Sequence, residues 1–228
     1  MTAVHDSVFL LDVDNTLLDN DSVIADLDEH LLRKVGDQDR DRYWQIYETL
    51  RAQLGYADYL GALQRYRVDV GNDPCLPSIS AFLLDYPFAE RLYPGALDVI
   101  SHLGRCGPTV ILTDGDVVLQ PRKVQRSGLW HAAGGRVLIY LHKEQMLDEV
   151  AQRYPARHYT MVDDKLRILT AVKTIWDDRV TTVFPRQGHY AREVSTGAAC
   201  PPADISIGSI RELLDYDLPA LLSQQQNR

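Results

Sequence analysis

The 228-residue chain is short of cysteine, of basic charge and of long apolar runs, and each shortage closes off a class of protein. Its three cysteines, Cys75, Cys106 and Cys200, are odd in number and widely scattered. That spacing argues against a disulfide framework and offers none of the close pairing of a zinc site. Lys and Arg number 24 against 32 Asp and Glu, and the resulting formal charge of −8 argues against a general nucleic-acid surface. The small basic groups, Arg33-Lys34 and Arg65 with Arg67, are interleaved with acids and read as solvated surface. No apolar run approaches the ~20 residues that span a bilayer. The opening MTAVHDSVFLLDVDNT lacks a basic segment followed by a long apolar one, so no signal peptide is expected. These absences together predict a soluble, reduced, cytoplasmic protein with no membrane partner. Internal repeats and low-complexity tracts are also missing, and the glutamine-rich ending SQQQNR reads as frayed.

What is present is a hydrophobic content of 45%, enough to bury a real core. Val8-Phe9-Leu10-Leu11 is a continuous apolar run that stops at Asp12, the pattern of a strand buried on both faces. From about residue 20 to 70, apolar and aromatic residues recur at helical spacing, as in Tyr43, Ile46, Tyr47 and Leu50. Gly71-Asn72-Asp73-Pro74, and then Pro77, read as a break between helices. After Tyr93-Pro94-Gly95, strands and helices alternate. Leu97, Ile100 and Leu103 mark a helix face, and Val110-Ile111-Leu112 a strand. Val118 to Ser127 is a helix ended by Gly128, and Val137 to Leu141 the next strand. Helix is expected from Lys143 to Pro155, strand over Tyr159–Val162, then helix through Leu166, Leu169 and Val172. Val180–Phe184 and Ile205 with Ile207 are two further strands, and 209–222 a closing helix. Repeated units of this kind predict an α/β fold with a doubly wound parallel sheet. The catalytic core is assigned to 1–17 and 90–228, and 18–89 is an inserted all-helical unit.

In open parallel sheets, ligands bind beyond the carboxyl ends of the strands. The first strand ends in Asp12 and Asp14, the second in Thr113 followed by Asp114-Gly115-Asp116. The third ends in His142-Lys143 and the fourth in Asp163-Asp164. Four polar terminations on four apolar strands bring carboxylates, a hydroxyl and an amine to one rim. Gathered carboxylates repel each other unless a cation intervenes, and an oxygen-ligand site with room for water suits Mg²⁺. Such a centre fits phosphoryl transfer, which asks a protein mainly for alignment and charge stabilisation.

DVDNT at 12–16 resembles the first motif of the haloacid dehalogenase-like superfamily. ILTDGD at 111–116 is similar to its second motif, Lys143 to its third and MVDD at 161–164 to its fourth. Order and spacing agree over essentially the whole chain, and the insertion after the first motif matches the helical cap of many members. The resemblance implies that Asp12 attacks phosphorus and forms an aspartyl-phosphate, while Asp14 protonates the leaving oxygen and later activates water. It implies that Thr113, Asp114, Gly115 and Lys143 surround the phosphoryl group. Mg²⁺ would be held by Asp12, the main-chain carbonyl of Asp14, and Asp164 with or without Asp163. Dehalogenases of the superfamily carry an aromatic residue where this chain has Asp14, so an acid there implies phosphate esters. The implied partner is a small phosphorylated metabolite, acted on by a monomer or homodimer.

Other readings stand beside this one. A calcium loop at 12–23 fails because Leu17 replaces its glycine and Val23 its final acid. Lys123 competes with Lys143 for the phosphate-neutralising role, although it falls within a helical stretch. One of Asp163 and Asp164 has the alternative of capping the helix that begins near Lys165. Ile168 stands where some relatives have a further acid, which shifts weight to Asp163, and Asp114 stands where Asn is common. Those departures keep a phosphate- or phosphoprotein-sensing module open, and a phosphomutase would use the same residues. Tyr43, Trp44, Tyr47, Tyr56, Tyr59 and Tyr66 are expected to be mostly core. Arg33, Arg42, Arg51, Arg65 and Arg67 are candidates for gripping an anionic substrate tail, but each one by itself is expected on the solvated surface. Arg186-Gln187-Gly188-His189 follows the fifth strand and carries no assigned role.

Overall fold

The computed structural model describes residues 4–71, 73–194 and 200–216. The first apolar run forms β1 (His5–Leu11), the middle of a six-stranded sheet in the order β3-β2-β1-β4-β5-β6. The others are β2 (Thr109–Asp114), β3 (Val137–Tyr140), β4 (Ala156–Val162), β5 (Val180–Pro185) and β6 (Ile205–Ile207). Every pairing is parallel, which requires helical crossovers and buries both sheet faces. Strict alternation in β1 divides the core. Phe9 and Leu11 pack on one face with α4 (Ala96–Leu103), α5 (Leu119–Arg126) and α6 (Leu129–Ala132). Val8 and Leu10 pack on the other with α7 (Leu147–Arg153) and α8 (Leu166–Trp176).

Between β1 and α4 the chain makes α1 (Asn20–Leu54), α2 (Tyr59–Val70) and α3 (Leu76–Asp85). Helix α1 is two helices joined at Gly36, whose φ of 81° an L side chain would resist. Chain exit and return lie side by side: Asp19 N–H donates to the Arg91 carbonyl at 2.7 Å and Tyr93 N–H to that of Leu17 at 3.0 Å. Tyr43, Tyr47, Tyr59 and Tyr66 are buried, as their spacing suggested, and Trp44 and Tyr56 are half-buried. The buried tyrosines belong to the same continuous apolar cluster as Phe9 and Leu11, so the insertion packs onto the sheet layer through shared core.

Several boundaries differ from the sequence-based expectation. Pro77 sits in the first turn of α3, where its missing N–H leaves no bond unmade, so the break covers only the residues before it. Leu97 points to solvent, 41% exposed, and the buried face of α4 is Ala96, Val99, Ile100 and Leu103. The helix expected after Lys143 is split into a 3₁₀ turn at Lys143–Gln145 and α7. The closing helix is a 3₁₀ turn, Ile210–Leu214, held by a Ser209/Glu212 capping box, and 217–228, with the SQQQNR ending, lie outside the described residues. No described helix is long and apolar enough to cross a membrane.

Candidate active site

Chain order reverses beside β1: β2 and β3 lie on one side, β4 to β6 on the other. Such a reversal opens a crevice at the carboxyl ends of the strands. Register delivers the acids to it. Leu11 pairs with Val162, so Asp12 and Asp163 are the next residues out on adjacent strands. The Asp12 N–H donates to the Val162 carbonyl at 3.0 Å and the Asp163 N–H to that of Val183 at 3.2 Å, fixing both backbones. Ligand atoms of Asp12, Asp163 and Asp164 lie within 4.8 Å of one another. All three residues are buried, Asp163 and Asp164 completely.

Lys143 enters from the loop after β3. Its Nζ lies 2.5 Å from Asp12 Oδ1 and 2.6 Å from Asp163 Oδ2, and it also donates to the Leu112 carbonyl at 3.3 Å. Lys143 is thus the lysine beside Asp12. Lys123 instead reaches Asp14, with Nζ 2.6 Å from Oδ1. The side chain of Asp14 therefore lies outside the three-carboxylate group.

Burial pushes the carboxyls of Asp163 and Asp164 up, against the pull of Lys143 and Lys165. Lys143 and Lys165 are themselves raised by the surrounding carboxylates, which overcome the desolvation of their ammonium groups. Asp12 Oδ2 and both carboxylate oxygens of Asp164 are buried without a hydrogen-bond partner, and Asp163 Oδ2 meets Lys143 without hydrogen-bond alignment. Buried carboxylate oxygens are costly when left alone, so this set fits a hard divalent cation. Asp163 also helps to start α8, because its Oδ1 accepts the Lys165 N–H at 2.8 Å. The Asp164 N–H donates to Thr16 Oγ1 at 3.0 Å. Ile168 is core, 1% exposed, so α8 brings no further acid there.

Thr113 is buried at the end of β2, and its Oγ1 accepts from Gln120 Nε2 at 3.0 Å. Asp114 Oδ1 accepts the Lys143 N–H at 2.7 Å and so ties the second and third loops together. Burial lifts its carboxyl to about 6, against the opposing pull of Lys143. Gly115 is held free of a side chain, because a Cβ there would lie 2.5 Å from the Gln120 Cβ.

The first loop is shaped by Asn15, whose φ of 59° is the left-handed turn that Asn tolerates. Its Oδ1 accepts the N–H groups of Asn20 and Asp21, and its Nδ2 donates to Asp21 Oδ1 at 2.9 Å. The segment after β5 buttresses this loop. Gln187 Nε2 donates to the Thr16 carbonyl at 3.1 Å, and His189 Nδ1 lies 2.6 Å from Asp21 Oδ1. Sequence reading assigned nothing to Gln187 and His189, because their partners in the first loop are more than 160 residues distant in the chain. Their place just after a strand was the available signal. Arg33 and Arg42 form surface pairs with Glu29 and Asp69, whereas Arg51 reaches Tyr190 Oη at 2.8 Å.

The fold and this rim define an α/β enzyme of the Rossmann-like type with a carboxylate cluster at its switch point. Among solved structures, one described as a haloacid dehalogenase-like hydrolase from Burkholderia xenovorans LB400 is 61% identical with a TM-score of 0.91, covering 96% of this chain and 100% of that one. The chain belongs to the haloacid dehalogenase-like hydrolase family. Two more distant structures share the fold. The HAD-hydrolase YfnB from Bacillus subtilis, bound to magnesium, is 16% identical with a TM-score of 0.62 over 97% of this chain and 100% of that one. L-2-haloacid dehalogenase from Xanthobacter autotrophicus is 19% identical with a TM-score of 0.58 over 93% and 98%. No protein-family model and no curated protein matches the chain.

Proposed function

We propose that this hydrolase cleaves a small phosphomonoester with the aid of Mg²⁺, through an aspartyl-phosphate on Asp12. The observation that carries the reading is the buried Asp12 carboxylate, held on one oxygen by Lys143 and facing Asp163 and Asp164 within 4.8 Å. Asp12, Asp163, Asp164 and the Asp14 carbonyl would hold the ion, which supplies charge screening between an anionic nucleophile and an anionic phosphoryl group.

An oxygen of Asp12 attacks phosphorus, the phosphorus–oxygen bond to the substrate alcohol breaks, and Asp14 delivers the proton that the leaving oxygen needs. Lys143 and the Thr113 hydroxyl stabilise charge on the phosphoryl oxygens. Water then attacks phosphorus, Asp14 takes its proton, the phosphorus–oxygen bond to Asp12 breaks, and inorganic phosphate leaves the regenerated Asp12 carboxylate. An acid at position 14 favours phosphate esters over the haloacids of the dehalogenase relatives, whose displacement needs no leaving-group acid. Residues 18–89 act as the cover that excludes bulk water during both steps.

A screen of small phosphorylated metabolites with Mg²⁺, run beside Asp12→Asn, tests the reading. The parent is expected to release inorganic phosphate and the variant essentially none; equal release would remove Asp12 from its role. Retention of the phosphoryl group on organic product, in labelled water, would instead identify a mutase.

A further inference from the structure

Lys123 is a buried ammonium for which the reaction above has no use. It lies on α5, 2% exposed, and a buried ammonium is expensive unless it is paired. Its partners are Asp14 Oδ1 at 2.6 Å and the Asn20 side-chain carbonyl at 2.9 Å, with the Phe88 ring centroid 6.0 Å away. One helical turn earlier, buried Gln120 directs Nε2 at Asp14 Oδ2, 3.5 Å away, and at Thr113 Oγ1. Each oxygen of Asp14 thus faces one donor from the same helix. Among the described residues, Lys123 is the one ion-pair partner of Asp14.

We propose that Lys123, assisted by Gln120, is the positioning residue that presents Asp14 as the proton acceptor of the hydrolytic step. Two donors from one helix fix the plane of the Asp14 carboxylate and so hold it in place for the water that attacks the aspartyl-phosphate. Asn20 opens α1, so the same ammonium joins this carboxylate to the helical insertion. Removing Lys123 alone leaves Asp14 without its ion pair and costs stability whatever the role, so the test reads the phosphoenzyme step and not stability.

The inference rests on the phosphatase reading, and rapid-mixing kinetics separates the two. In the full chain with Mg²⁺ and p-nitrophenyl phosphate, Lys123→Met should still form the phosphoenzyme, because this leaving group needs little protonation. It should then release it slowly. The expected signature is a burst of about one equivalent of p-nitrophenolate per enzyme. A steady-state rate roughly 100-fold below the parent's should follow. Added to Asp14→Asn, the substitution should cause little further loss, since the two act as a unit. Turnover within about two-fold of the parent, or a fall in rate without a burst, would overturn the proposal. Should Lys123→Met fail to melt cooperatively, Lys123→Gln decides: it keeps an N–H donor, and a burst of intermediate size is expected, its absence counting against the role. A parent that releases no phosphate from this ester or from the metabolite panel would remove the phosphatase reading itself.

Discussion

Asp114 shows how much a single side chain of this site is shaped by its surroundings. Its carboxyl is half-buried near Asp12 and Asp163, accepts the Lys143 N–H, and is raised from an ordinary 3.8 to about 6. A carboxyl raised on folding binds its proton more tightly in the native state. Its stabilising contribution is therefore complete below about pH 4 and is lost as pH rises through about 6. Two units correspond to roughly 2–3 kcal/mol. Urea midpoints in chelator from pH 4 to 7 should accordingly fall less steeply in Asp114→Asn than in the parent. Identical slopes would mean that Asp114 does not titrate in that window. The lysines divide at the same scale. Lys143 and Lys123 both end at carboxylates of the first loop, but Lys143 serves Asp12 and Asp163 while Lys123 serves Asp14.

At the scale of elements, the site is a product of register and of loops pressed together. Pairing of Leu11 with Val162 sets Asp12 beside Asp163, so a slip of one residue would turn one carboxylate toward the opposite face. The loop after β5 is the less obvious participant. Gly188 has φ of 66°, and a Cβ there would lie 2.6 Å from the Asn15 Cβ. Gly188→Ala is therefore expected to lose about 1–3 kcal/mol of stability. It should also displace Asn15, the residue that turns the chain between Asp14 and Thr16, so turnover should fall by more than the loss of folded protein explains. Calorimetry and activity measured together check this; an alanine variant with parental melting and rate would show that the loop yields at no cost.

For the whole molecule, the carboxylate cluster is an electrostatic load that folding accepts. Asp12, Asp163 and Asp164 are brought together in the interior with oxygens that no described group satisfies. An ion bound to the native state alone adds RT ln(1 + [L]/Kd), about 2.7 kcal/mol at a hundred-fold excess over Kd. For a chain of this size that corresponds to an upward shift of about 5–10 °C in Tm. Thermal melts should show this rise with Mg²⁺ in the parent and lose most of it in Asp164→Asn. Parent melts indifferent to Mg²⁺ would count against the metal.

Much of this was written in the order of the residues. Apolar runs ending in acids specified the parallel sheet, since a strand buried on both faces cannot alternate. The four terminations named the rim because parallel strands point the same way. Helical spacing located the helices between β1 and α4 and their buried tyrosines, while Leu97 and Pro77 were misread because local pattern does not reveal which neighbour an element meets. The pairing of each lysine with its own aspartate, the orphaned oxygens of Asp164 and the hold of Gln187 and His189 on the first loop came only from the folded chain. Those contacts join residues more than a hundred positions apart, and through-space distances of a few ångströms leave no periodic trace in a sequence.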